Sequence, residues 1–142
     1  MTTAREMMHR GAECIGERET LTQAAQRMRD LNVGALPICG EDNRLHGIIT
    51  DRDIVVKCIA QGGDPNTVTA SELADGTPVW VDADADESEV IQLLADHKIR
   101  RLPVIENRQL VGMISEADVA VHLSEPDVAA FVKSVYSAPP NS

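Results

Sequence analysis

The chain has 142 residues, enough for one compact domain or two small ones, and its 43% hydrophobic share is ordinary for a globular protein. Aromatics amount to 2% (Trp80, Phe131 and Tyr136), so a core must come from Val, Ile, Leu, Ala and Met, with no platform for stacking nucleic-acid bases. A formal net charge of −10 excludes sequence-independent binding to a phosphate backbone, which needs many Lys and Arg, and leaves room only for a local basic pocket.

In chain order, Met1-Thr2-Thr3-Ala4-Arg5-Glu6 lacks an apolar run of signal-peptide type. No stretch of about eighteen apolar residues follows anywhere, so a cytoplasmic location is expected. Cys14-Ile15 reads as a short strand. Thr20-Leu21-Thr22-Gln23 offers a capping box, and Leu21, Ala24, Ala25, Met28 and Leu31 recur at helical spacing, which predicts an amphipathic helix. Leu36 to Cys39 is an apolar strand, Gly40-Glu41-Asp42-Asn43 a turn by composition, and Leu45 to Ile49 the antiparallel partner. Thr50 to about Ala60 predicts a second helix, closed by Gly62-Gly63-Asp64-Pro65.

From there the pattern starts again. Thr69-Ala70-Ser71-Glu72 caps a short helical turn, and Gly34-Ala35-Leu36-Pro37-Ile38-Cys39 lies over Arg100-Arg101-Leu102-Pro103-Val104-Ile105 at an offset of 66, that is 103 minus 37. The same offset sets Cys14-Ile15 over Trp80-Val81, and Met28, Asp30 and Val33 over Leu94, Asp96 and Ile99. Beyond the turn the second copy is one residue shorter, and at an offset of 65 the ten residues from Leu45 to Ile54 overlie those from Leu110 to Val119. Each copy reads strand, helix, strand, strand, helix, and closes on Gly–hydrophobic–hydrophobic–Ser/Thr–x–x–Asp: Gly47 to Asp53, then Gly112 to Asp118. The last helix of the second copy is expected to end near Ser124. Val128, Phe131, Val132 and Val135 then recur at spacings of three and four, predicting a short amphipathic helix before a frayed Ser137-Ala138-Pro139-Pro140 end. The expected organisation is a first repeat with an N-terminal helical turn and linker over 1–66, a second repeat over 67–124, and a C-terminal helix and tail over 125–142.

Two copies of β-α-β-β-α, each with a hydrophobic-Pro-hydrophobic strand and this closing signature, resemble the cystathionine-β-synthase (CBS) domain family over roughly residues 4 to 124. As a pair they resemble a stand-alone Bateman module. The resemblance implies an α+β fold of two tandem repeats packed sheet to sheet about a pseudo-two-fold axis. It further implies a cleft for an adenine nucleotide or adenosyl compound (AMP, ADP, ATP or S-adenosylmethionine), and a flat homodimer. No cofactor or metal, nucleic acid or membrane is expected. A regulatory role toward a protein partner is expected, the fold specifying a site and not its occupant.

On this sequence the resemblance assigns ribose and phosphate contacts to Thr50 with Asp53 and to Ser115 with Asp118, and lets Gly47 and Gly112 open the two motifs. Arg100 and Arg101, before Leu102-Pro103, resemble a basic pair that meets phosphate in some family members. Gly34-Ala35 hold the equivalent place in the first copy, so the two sites should differ. Adjacent strand residues face opposite ways, and at most one of the two arginines is expected to reach the cleft.

The chemistry fits. A carboxylate at a helix start accepts two hydrogen bonds from a ribose diol, and a neighbouring hydroxyl with free N–H groups suits phosphate. The same [ST]-x-x-[DE] pattern is also a plain helix cap, and the two uses share atoms. Arg52, a cation in a first helical turn, implies a nearby anion or carboxylate, a bound ligand or Asp51 among them. In the family arrangement Cys14 and Cys39 lie on neighbouring parallel strands, within reach of a disulfide, although two free thiols are the expected state. Three cysteines without CxxC spacing, and His9, His46, His97 and His122 dispersed along the chain, give no metal motif. No nucleophile elbow, phosphate loop or Rossmann context suggests catalysis. The reading is a non-catalytic ligand sensor, against an alternative of a structural or stress-associated interaction module with empty sites, whose tail around Phe131 and Tyr136 would meet partners.

Overall fold

The computed structural model describes residues 2–10, 13–74, 78–123 and 125–136, an α+β chain that builds the same elements twice. The elements in order are α1 (Ala4–Met7), β1 (His9–Arg10), β2 (Ile15–Gly16), α2 (Leu21–Leu31), β3 (Ala35–Cys39), β4 (Leu45–Thr50) and α3 (Asp51–Asp53). They continue with α4 (Ala70–Leu73), β5 (Val81–Asp82), α5 (Glu87–His97), β6 (Arg101–Glu106), β7 (Gln109–Ser115), α6 (Glu116–His122) and α7 (Glu125–Tyr136). Two compact units result: Glu13–Pro78 is one, and Met1–Ala12 with Val79–Ser142 is the other.

In the first unit the sheet order is β2-β3-β4, with β2 parallel and β4 antiparallel to β3. Its core gathers Ile15, Leu21, Ala24, Met28, Leu36, Ile38 and Ile49. Complete burial of a Leu or Ile is worth about 1.5–3 kcal/mol each, and that burial, more than propensity, holds so small a sheet. In the second unit the order is β1-β7-β6-β5, over Val81, Val90, Leu94, Leu102, Val104, Ile114, Val119 and Phe131.

Both long helices start and stop by the same chemistry. Thr20 and Gln23 form the expected capping box, while Asp86 caps α5 by accepting from the Glu89 N–H at 3.0 Å. Asn32 (φ 56°) and Lys98 (φ 52°) close them in the left-handed conformation. Within α2, Leu21, Ala24 and Met28 are buried, whereas Ala25 and Leu31 are exposed, since they stand on the two flanks of that stripe.

The second helix of the first copy departs from expectation. After α3 the chain runs as a π-helical stretch, Ile54–Cys58, and a 3-10 turn, Ile59–Gln61, before Gly62 ends it at φ 79°. The β-branched run Ile54-Val55-Val56 is a weak α-helix former, crowding χ1 against the preceding turn. In the second copy α6 ends at His122, and the expected end at Ser124 lies outside the described residues, as does the predicted frayed end from Ser137 to Pro140.

The segments joining the repeats do not stay with the repeat they precede. Thr3 bridges Asp86, and the Ala4 N–H donates to the Ala85 carbonyl at 2.8 Å, so α1 sits on the second unit. Thr69 and Ala70, its counterparts at the same offset of 66 (69 minus 3), do this in the first unit: Thr69 bridges Thr20, and the Ala70 N–H donates to the Glu19 carbonyl at 2.9 Å. The tail helix α7 packs on α5 with Phe131 buried in the second core, which removes Phe131 from the expected partner surface.

Candidate functional site

Each closing signature forms where an antiparallel strand hands over to a helix. Ala35 lies opposite Thr50, and the Asp51 N–H donates to the Gly34 carbonyl at 2.9 Å. Arg101 lies opposite Ser115, and the Glu116 N–H donates to the Arg100 carbonyl at 3.0 Å. Gly34-Ala35 and Arg100-Arg101 therefore flank the two motifs at the same register, and the difference in charge between the copies falls beside the cap.

The hydroxyl and the carboxylate of each motif each accept from the other residue's backbone N–H. In the first copy the Asp53 N–H donates to Thr50 Oγ1 at 3.1 Å, and the Thr50 N–H to Asp53 Oδ2 at 3.0 Å. In the second, Asp118 Oδ2 accepts from the Ser115 N–H at 2.8 Å and from its hydroxyl at 2.9 Å, while the Asp118 N–H reaches Ser115 Oγ at 3.3 Å. Both are complete capping boxes, so the helix-cap reading of the pattern is realised in both copies.

What remains at each site is the second carboxylate oxygen. Asp53, 7% exposed, turns Oδ1 toward Lys57 Nζ at 3.4 Å, one helical turn on. Asp118 turns Oδ1 to His9 Nε2 at 2.7 Å. Nothing in the local sequence announces that contact, because His9 arrives from the far end of the chain on β1, which pairs with β7 through His9↔Met113 and Arg10↔Gly112.

Gly47 and Gly112 have a packing role of their own. A Cβ on Gly47 would stand 2.8 Å from the Cβ of Ala74, and one on Gly112 would meet the Met8 sulfur and, at 2.8 Å, the His9 carbonyl. Only a bare backbone admits the crossing segments. Pro103 lies in β6 opposite Met113. Arg101 is half-buried, and Arg52 is exposed with no guanidinium ion pair among the described residues, so of the readings for Arg52 the bridge to Asp51 is not formed.

Cys14 and Cys39, brought together by the parallel pairing of β2 and β3, are joined by a disulfide with Cα atoms 5.5 Å apart. Two free thiols were the expectation. Parallel neighbours at this separation satisfy the reach that a disulfide demands. Cys58 is free and buried. Beside Cys39 an open groove of about 840 Å³ runs past Glu17, Glu19, Glu41 and Asp42, with Arg18 and with His46, whose Nδ1 is 3.2 Å from Glu17 Oε2. Four carboxylates repel phosphate, and neither Thr50 nor Asp53 lines it, so this groove does not coincide with either closing signature.

The doubled cap, its register and the matched glycines agree with the outcome of comparison. The family model described as CBS domain matches residues 4–59 and 70–125. The chain belongs to the CBS-domain family. Hypoxic response protein 1 of Mycobacterium tuberculosis is 54% identical over 137 residues, covering 96% of each chain. The uncharacterized protein YlbB of Bacillus subtilis is 36% identical over 122 residues, covering 85% of this chain and 82% of its own. Among solved structures, that of Hypoxic Response Protein I with two coordinated zinc ions superposes with a TM-score of 0.79 at 55% identity, over 87% of this chain and 100% of that one. Among the described residues here, no group of three or more His, Cys, Asp or Glu is placed to hold a metal.

Proposed function

We propose that this CBS pair is a non-catalytic sensor that binds an adenine nucleotide or adenosyl compound at its two Ser/Thr–x–x–Asp helix starts. The observation that carries this is the doubled cap: two carboxylates whose side chains are 10% and 14% exposed, each accepting from the backbone N–H of its Thr or Ser and each with its other oxygen facing a displaceable basic side chain, Lys57 or His9. An oxygen of that kind is the acceptor a ribose diol needs, and Arg100 or Arg101 beside Ser115 supplies the fork that suits phosphate. AMP, ADP, ATP and S-adenosylmethionine are the candidate ligands.

A ligand that binds only the folded pair raises its melting temperature, by about 2.7 kcal/mol of stability at a hundredfold excess over Kd. Thermal-shift measurements with the four compounds and NAD at millimolar levels are expected to single one out, with Asp53→Ala and Asp118→Ala assigning the copy. An unchanged melting temperature for all five would sink the reading.

The protein acts, in this reading, as a cytoplasmic homodimer that passes its signal to a partner protein, with no nucleic acid or membrane involved. Exposed Val55 (57%), Val56 (41%) and Ile59 (52%) on the last helical stretch of the first copy support the dimer. No helix among the described residues is long and apolar enough to cross a membrane. The same valines favour the second reading, an interaction module with empty sites, which predicts a ligand-silent protein that co-purifies with partners. Native mass spectrometry reports ligand, oligomer and the Cys14–Cys39 bond together. Because disulfides are rare in a reducing cytosol, an oxidised mass in rapidly quenched cells would count against the cytoplasmic location.

A further inference from the structure

We propose that His9 is a built-in competitor for the second copy's carboxylate, so that a nucleotide fills the Thr50/Asp53 site first and enters the Ser115/Asp118 site only by displacing His9. The proposal rests on the nucleotide-binding reading and concerns the regulation of its second site.

Three of the roughly four acceptor positions of the Asp118 carboxylate are taken, leaving one where a ribose diol needs two. Oδ2 accepts from the Ser115 N–H at 2.8 Å and hydroxyl at 2.9 Å, and Oδ1 meets His9 Nε2 at 2.7 Å. A ribose diol binding this carboxylate must therefore break one of these contacts, and the cap is part of the fold. His9 is the contact that can yield, since its side chain is 78% exposed.

The imidazole is nonetheless held in place by its backbone. β1 pairs with β7 at His9 itself and at the next residue, through His9↔Met113 and Arg10↔Gly112. Met8 packs against Gly112, and the segment is fastened ahead of it where the Arg5 N–H donates to the Ala83 carbonyl at 3.0 Å and the Arg5 guanidinium to Asp84 at 2.8 Å. A side chain on a tethered strand is presented at high local concentration, so it competes with a free ligand without any entropy of association.

Among the described residues the first copy shows no such device. Its carboxylate meets Lys57 at 3.4 Å, an ammonium one helical turn away on a flexible four-carbon stem that swings aside without moving the backbone. In the sequence, the position matching His9 at an offset of 66 (75 minus 9) holds Asp75 and not a histidine. The arginines beside Ser115 and the histidine on Asp118 thus pull in opposite directions: phosphate is attracted to a site whose ribose acceptor is already taken.

The test is calorimetric titration of the full chain with AMP, in wild type, His9→Ala, Asp53→Ala, the double variant His9→Ala/Asp53→Ala, and that double variant with Asp118→Ala added. Wild type is expected to lose at least tenfold in affinity on Asp53→Ala. In the Asp53→Ala background His9→Ala is expected to restore binding at least fivefold, and Asp118→Ala to abolish it again. His9→Gln, which keeps a hydrogen-bond donor on a different side chain, should fall between. Binding that depends on Asp53 but is not improved by His9→Ala overturns the proposal alone. Heat from none of the variants overturns the nucleotide reading, and the proposal with it. Because His9 is exposed, unchanged far-UV circular dichroism is expected for its variants and confirms that they fold.

Discussion

The two units carry the same elements at the same offset and are stabilised by different devices. The first, Glu13–Pro78, has a disulfide between Cys14 and Cys39 where the second has Trp80 and Ile105, and its last helical stretch leaves Val55 and Ile59 exposed. The second has no cross-link, yet gains α7, whose Phe131 completes its core, and a tether from Arg5 to Asp84 and Glu106. Counterparts of that tether are missing in the first, where Ser71 stands at the place of Arg5. A duplicated fold therefore does not imply duplicated energetics: one copy limits its unfolded state by a covalent loop, and the other enlarges its folded core.

The largest break in that contrast should come from Phe131→Ala. The ring is 4% exposed, and removing it from a packed core costs about 3–5 kcal/mol, transfer and cavity together. Trp80 belongs to the second unit, so its fluorescence in a urea titration is the readout, and the midpoint is expected to fall steeply. A midpoint that does not move would show that α7 contributes nothing to this core.

Reduction of Cys14–Cys39 is the complementary break. Closing a loop across 25 positions is worth about 3 kcal/mol in the chain-entropy account. Reductant, or Cys39→Ala, is expected to destabilise the first unit by up to that amount, read by hydrogen exchange of amides in α2 and β3. Protection in α5 and β6 should change less. Equal losses in both units would mean that they unfold as one cooperative body, erasing the contrast drawn above.

Much of this was legible in the residues, because the determinants are local. The capping boxes at Thr20, Thr50 and Ser115 announce helix starts by composition alone, and the hydrophobic-Pro-hydrophobic strands fix the offset at which everything else repeats. What was not legible depends on chain segments meeting across long separations. Nothing near Thr3 says that it will bridge Asp86, and so the exchange of α1 and α4 between repeats could not be read from either copy. The His9–Asp118 contact follows from that exchange and was hidden with it. The stripe with Phe131 was left between its own domain and a partner, because a helical stripe does not say whose core it faces.

The smallest expected effect tests the tether of the second unit. Hydrogen bonding to the Arg5 guanidinium is the main cause holding the Glu106 carboxyl below the usual glutamate range, and Glu106 in turn raises the Arg5 pKa. For a carboxyl whose folded value is depressed, the unfolded chain binds the proton first as pH falls. The stabilisation is therefore fully present above the ordinary glutamate pKa of about 4.3, and fades as pH drops from there through the lower folded value. The pair is solvent-exposed and screened, so the loss should be slight and smaller still in high salt. Melting temperature followed by Trp80 fluorescence from pH 6 to pH 3 is expected to fall less steeply in Arg5→Ala than in the parent. Asp86, depressed by its bonds to the Ser88 hydroxyl and the Glu89 N–H, adds to the same acid limb in both proteins and leaves the difference to Arg5. Parallel curves for the two would remove the tether from the account of why the second unit needs no disulfide.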